Sequence, residues 1–165
     1  NQGDLFISIR HKSAIIHYRP STNKVINYIK GPFHMQHDVD IISNKEISIF
    51  NNNNSYLKNA KNSEVLIYNF EKKSFSKKFH KQVIKENLKT YSEGLSEIFD
   101  DGSMLFEEQN HGRLIFFNKD GQKEWEFVNK DSNGKVYPIS WSRIIKDKKL
   151  LKILRNKIKN TSCLN

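Results

Sequence analysis

The stretch GPFHMQHDVD, residues 31 to 40, sets His34 and His37 three positions apart directly after a Gly-Pro turn, with Gln36 and Asp38 flanking the second histidine. A neutral imidazole is a competent nucleophile near pH 7 and also a common metal ligand. The segment therefore admits a reacting group, a metal pair, or a polar residue that merely begins a strand. On an extended strand side chains alternate, so positions three apart face opposite ways and chelate poorly, and Asp38 falls on the face opposite His37. No metal site is expected. Arg10, at the end of the apolar run LFISIR, brings a planar, permanently charged guanidinium that suits the oxygens of a small tetrahedral anion. A second knot of charge, FEEQNHGRL from Phe106, crowds Glu107, Glu108, His111 and Arg113 into one tight connection. Adjacent carboxylates on a strand point to opposite sides and cannot face each other as acid and base. The knot is either an ion-paired hairpin end or a place where Glu108 and Arg113 line a channel.

The elements that must position these residues follow a repeat. Three fifteen-residue segments, IIHYRPSTNKVINYI from Ile15, VLIYNFEKKSFSKKF from Val65 and RLIFFNKDGQKEWEF from Arg113, share an apolar strand, a polar turn and a second strand. Ahead of two of them stands another hairpin, VDIISNKEISIF from Val39 and SEIFDDGSMLFE from Ser96, the latter turning on Asp101-Gly102. Four short strands per unit of about 50 residues is the pattern of a β-propeller blade. The fold class read from this is all-β: a partial β-propeller of about three and a half four-stranded blades with a short C-terminal helix. Residues 4 to 29 supply three strands of a first unit, residues 37 to 80 and 94 to 129 two complete units, and YPISWSRII from Tyr137 the inner strand of a fourth. NNNNSYLKNAKN (51–62) and KQVIKENLKTYS (81–92) read as long polar loops.

A ring needs at least about four blades to close. The expectation is an N-terminally incomplete propeller over residues 1–145, with Phe6, Ile7 and Ile15 on a side that a preceding blade would cover, and a basic helical tail over 146–165.

Composition narrows the function classes. The net charge is +10, but residues 146 to 165 hold seven Lys or Arg against one Asp, so the body is not a basic module and nucleic acid is not an expected partner. With 23 lysines against five arginines, the charge is what an AT-rich coding sequence would impose. The single cysteine, Cys163, excludes an intrachain disulfide and a cysteine-based zinc site. Leu150, Leu151, Ile153, Leu154 and Ile158 recur near helical spacing in the tail. They suit either packing on the propeller or weak contact with a membrane surface.

GDLFISIRHKSAII, NKVINYIKGPF and QHDVDIISNKEISIFNNN, in that order, resemble the Ser-X-Arg, Gly-Pro or Gly-Gly, Gln-His and Phe-Asp-Asn run of bacterial aryl-sulfate sulfotransferases and their arylsulfotransferase-like relatives. EGLSEIFDDGSMLFEEQNHGRLIFFNKDGQKEWEF is similar to their next blade, so the resemblance spans about residues 3 to 143. It implies a nucleotide-independent transfer of a sulfuryl group from an aryl sulfate to a phenol through a sulfohistidine, with no cofactor. Small aromatic sulfate esters and phenols are the implied partners, and the periplasm the implied location. Carried over by motif, His37 is the nucleophile, and Arg10 and Gln36 contact the sulfate. Two departures stand beside it. The family's His-X-Asn triplet before the Arg strand has no counterpart in this sequence, and Asn51 stands where relatives carry Asp. A propeller that binds or scaffolds without chemistry is the alternative, because a fold does not fix a function.

Overall fold

The computed structural model describes residues 2–54 and 61–161. Short runs of β-branched and aromatic residues, most of them separated by a turn residue in the left-handed region, fold into antiparallel meanders. β1 (Leu5–Ile9), β2 (Ala14–Arg19) and β3 (Lys24–Ile29) make a three-stranded sheet. β4 (Val39–Ile41), β5 (Glu46–Asn51), β6 (Glu64–Asn69) and β7 (Ser74–Lys78) make a second, and β8 (Leu95–Ile98), β9 (Met104–Glu108), β10 (Arg113–Phe117) and β11 (Lys123–Val128) a third, each in sequential order. Two short helices complete the described elements, α1 (His80–Lys85) and α2 (Lys148–Lys159).

The connections repeat as the strands do. β1 passes to β2 through a 3₁₀ turn, Arg10–Lys12, that ends on Ser13 at φ 46°, and β9 passes to β10 through Gln109–His111, ending on Gly112 at φ 58°. Glycine at 112 answers two demands. Its backbone is left-handed, and a Cβ there would stand 2.1 Å from the Tyr137 carbonyl oxygen.

The second sheet is buried on both faces. Toward the first sheet, Ile47, Ile49 and Leu66 pack with Ile15, Ile29 and Phe33. Toward the third, Phe50 and Val65 pack with Met104, Phe106, Ile115 and Phe117, the Phe50 and Phe106 rings lying 5.0 Å apart. Alternation along β5 thus feeds two separate cores from one strand.

Four readings of the sequence are corrected here. Ile15 is fully buried and Phe6 partly so, because both turn into the interface with the second sheet; Ile7 is uncovered as expected, at 42% exposure, together with Leu5, Val25, Ile26 and Tyr28. KQVIKENLKTYS is not all loop, since its start lies in α1, where Val83 inserts into the core beside Leu88. A helix of six residues with one buried side chain leaves too little periodicity to read. YPISWSRII is not a strand: residues 137–145 pair with none of the three sheets. The segment is held instead by Ile139 N–H donating to the Gln109 carbonyl (3.2 Å) and Ser142 N–H donating to Glu107 Oε2 (2.7 Å). NNNNSYLKNAKN begins inside β5 with Asn51, and residues 55–60 of it, like Cys163, lie outside the described residues.

The C-terminal helix forms as its spacing predicts. The Asp147 carboxylate caps it by accepting from the N–H groups of Lys149 (2.8 Å) and Leu150 (3.0 Å). Leu150, Ile153 and Ile158 remain exposed.

Candidate functional site

His37 precedes β4 rather than lying in it. Its N–H donates to the Phe50 carbonyl (3.0 Å), while Phe50 N–H donates to the Asp38 carbonyl (2.9 Å), so two residues oppose one across the ladder. Such a bulge re-aims side chains. Met35 just before it is left-handed at φ 56°. The alternation expected of a strand fails at this point, and His37 and Asp38 line the same cavity instead of opposite faces.

The network around the ring fixes its tautomer. Asn52 Nδ2 donates to the carbonyls of Thr90 (3.0 Å) and Glu93 (2.7 Å), so Oδ1 is the atom that meets His37 Nδ1, at 2.8 Å. An acceptor there places the proton on Nδ1 and leaves the lone pair of the neutral ring on Nε2. The Glu93 N–H lies over the same ring edge, 3.1 Å from Nδ1 and 3.2 Å from Nε2; with the proton on Nδ1, Nε2 is the nitrogen able to accept from it. Partial burial pushes the imidazole below its ordinary range; the Asn52 bond opposes this, and the charge of Arg10 adds to it. The ring is neutral at pH 7.

Arg10 follows β1, Asn52 follows β5 and Gln109 follows β9, and all three reach the loop that runs from Leu88 to Gly94. Arg10 donates to the Tyr91 carbonyl (3.3 Å), and its buried Nε has no partner among the described residues. Gln109 Oε1 accepts from Gly94 N–H (3.1 Å), and Gln109 Nε2 donates to the Glu93 carboxylate. Asn110 Oδ1 accepts from the N–H groups of Tyr91 (2.8 Å) and Ser92 (3.1 Å). Arg10 and His37 are therefore brought to one loop two residues apart, from different sheets.

A cavity of about 230 Å³ opens beside His37, lined also by Asp38, Glu93, Gln109, Trp141 and Arg143. Burial and the neighbouring Asp40 push the Asp38 carboxyl up to about 7, while Ser96 N–H, donating to Oδ2 at 3.3 Å, pulls the other way. Arg143 stands between this cavity and one of about 260 Å³ lined by Asp40, Ser96 and Glu97.

The raised carboxyl has a consequence for stability. An unfolded Asp38 loses its proton near 3.8, the folded one near 7, so the folded form holds the proton longer and this contribution is lost as pH rises between those values. His37, shifted down, acts oppositely below its ordinary range. Melting temperatures from pH 4 to 8 should fall with rising pH less steeply in Asp38→Asn than in the parent chain. Identical slopes would contradict the assignment.

The other expected site residues lie elsewhere. Gln36 is fully buried, its Nε2 donating to the Ala14 carbonyl (2.9 Å) and Ser8 Oγ (3.2 Å), which ties the start of the second sheet to the first. Glu108 is buried against Arg113, whose Nε donates to Oε2 at 2.7 Å, and its other oxygen accepts from Lys89 N–H. That is the ion-paired hairpin end, and neither residue lines the His37 cavity. Glu107 turns the opposite way, to Ser142. His34 lines a separate cavity with His80, and among the described residues no cluster of three or more His, Cys, Asp or Glu gathers as metal ligands. Sequence reasoning missed Asn52, Glu93, Gln109 and Arg143. The signal for Asn52 and Gln109 was the repeat, which aligns both with Arg10.

A search of curated proteins returns no match. The model of the arylsulfotransferase (ASST) family matches residues 1–130, which takes in all three sheets, His37 and its Asn52 partner. By that match over most of its length, the chain belongs to the arylsulfotransferase family.

Proposed function

We propose that this chain carries part of the active site of a nucleotide-independent aryl sulfotransferase, with residues 1–145 forming consecutive blades of a β-propeller and residues 146–165 a basic tail. The meander order of the sheets, and the burial of the second between its neighbours, support the blade reading. The observation that carries the chemistry is the half-buried His37 ring on the cavity wall with Nδ1 2.8 Å from the Asn52 Oδ1 acceptor, a contact that favours the tautomer with its lone pair on Nε2. In the reaction, Nε2 forms a bond to the sulfur of an aryl sulfate as the S–O(aryl) bond breaks, and the phenol departs. A second phenol then attacks that sulfur and the N–S electron pair returns to Nε2. The peripheral oxygens carry charge throughout, and the guanidiniums of Arg10 and Arg143 stand at the loop and the cavity wall where such charge would gather.

Incubation with 4-nitrophenyl sulfate and no acceptor should release one equivalent of 4-nitrophenol. It should also add the mass of one SO3 group to the peptide that contains His37. An adduct on another residue, or none, would refute this assignment.

A further inference from the structure

Transfer between two phenols also moves a proton. With a pKa near 10, an ordinary phenol leaves poorly as its anion and attacks poorly while it keeps its hydrogen. His37 cannot serve both needs, because Nε2 is engaged with sulfur and the Nδ1 proton is held by Asn52. We propose that Asp38 is the proton-handling catalytic residue of this reaction, giving a proton to the departing aryl oxygen and taking one from the acceptor phenol, because the bulge at residues 37 and 38 turns its side chain into the cavity that His37 lines. The proposal rests on the reading of His37 as sulfuryl carrier.

The groups facing Asp38 suit that task. Asp40 stands two positions along its own chain, and a close pair of carboxyls shares a proton rather than ionising twice. Ser96 N–H from β8 holds one oxygen of the carboxylate form. Arg143, from the segment after β11, favours that charged form, and His37 and Glu93 complete the cavity. These influences oppose one another, so a proton held here is neither fixed nor absent near neutral pH.

The steps balance. In the first, the His37 Nε2 lone pair bonds to sulfur, the S–O(aryl) electrons pass to the aryl oxygen, and that oxygen takes the Asp38 proton; a neutral phenol leaves and Asp38 remains a carboxylate. In the second, the acceptor O–H gives its proton to Asp38 as its oxygen bonds to sulfur, and the N–S pair returns to Nε2. Asp38 ends protonated, ready for another turnover.

The test compares two donors on the whole protein. The 4-nitrophenolate departs without a proton, whereas unsubstituted phenolate requires one. Asp38→Asn should slow phenyl sulfate turnover by on the order of 10²-fold or more, and slow SO3 adduct formation from 4-nitrophenyl sulfate by a far smaller factor. Equal losses on both donors, or no loss on either, would overturn the proposal while the wild-type adduct on His37 still stood. An absent wild-type adduct overturns the His37 reading first, and this proposal with it. Asp40→Asn leaves the His37 cavity lining intact and supplies an independent reading should Asp38→Asn fold poorly. Because Asp40 raises the proton affinity of Asp38, the high-pH limb for phenyl sulfate should move to lower pH in that variant, and an unmoved limb counts against Asp38 as the acid.

Discussion

His37→Ala is expected to reduce aryl sulfate turnover to the uncatalysed background, a loss on the order of 10⁴-fold or more, as removal of a covalent nucleophile does elsewhere. The SO3 adduct should disappear with it. The size of the effect follows from the ring's position: it is the imidazole that shares a cavity with a carboxyl and a guanidinium while its proton is directed by a buried amide. A fold effect is separable. The ring is half-buried and the backbone bond from His37 N–H to the Phe50 carbonyl does not depend on the side chain, so the melting temperature should change little. Turnover that survives in His37→Ala would leave the histidine structural and the site empty of its nucleophile.

Phe50→Ala is expected to destabilise the protein by about 3–5 kcal/mol, the usual cost of removing a fully buried aromatic ring. Phe50 is 1% exposed, packs on Phe106, and closes over Gly94, where a Cβ would stand 2.9 Å from its ring. The same residue's backbone makes the two bonds that create the bulge at His37 and Asp38. Denaturant titration measures the loss, and activity at temperatures where the variant stays folded should fall as well. A midpoint shift worth less than about 1 kcal/mol would mean that the two sheets repack around the gap.

Much of the fold was legible because the strands obey a period-two pattern between recognisable turns. Asp101-Gly102 marked the β8–β9 hairpin, and Gly102 does adopt φ 85°. What failed to show was whatever depends on a partner distant in sequence. Val83 and Ile84 are neighbouring apolar residues among lysines, and only membership of Val83 in the cluster with Leu88 and Phe106 separates the buried one from the exposed one. Tyr137 to Ile145 has a strand's composition but joins no ladder, and it is held in part by single bonds to Gln109 and Glu107, distant in sequence. At the site, Arg10 and His37 stood out by residue type, whereas Asn52 and Gln109 are ordinary amides whose meaning comes from position. The alternation rule that set Asp38 against His37 was sound for a regular strand and failed where one residue was inserted into the ladder. Glu108 and Arg113 drew notice by charge, and their ion pair accounts for that charge.

Arg10, Asn52 and Gln109 extend from three different sheets to one short loop, and that loop touches the imidazole. The loop therefore works as a common gauge of how the sheets stand to one another. The apolar interfaces between the sheets are held by contacts without directional preference. The hydrogen bonds at the loop are directional, and they weaken over a few tenths of an ångström. Misalignment far from His37 thus arrives at the ring as a turned amide and a displaced proton, and the chemistry is sensitive to assembly errors that the core would forgive.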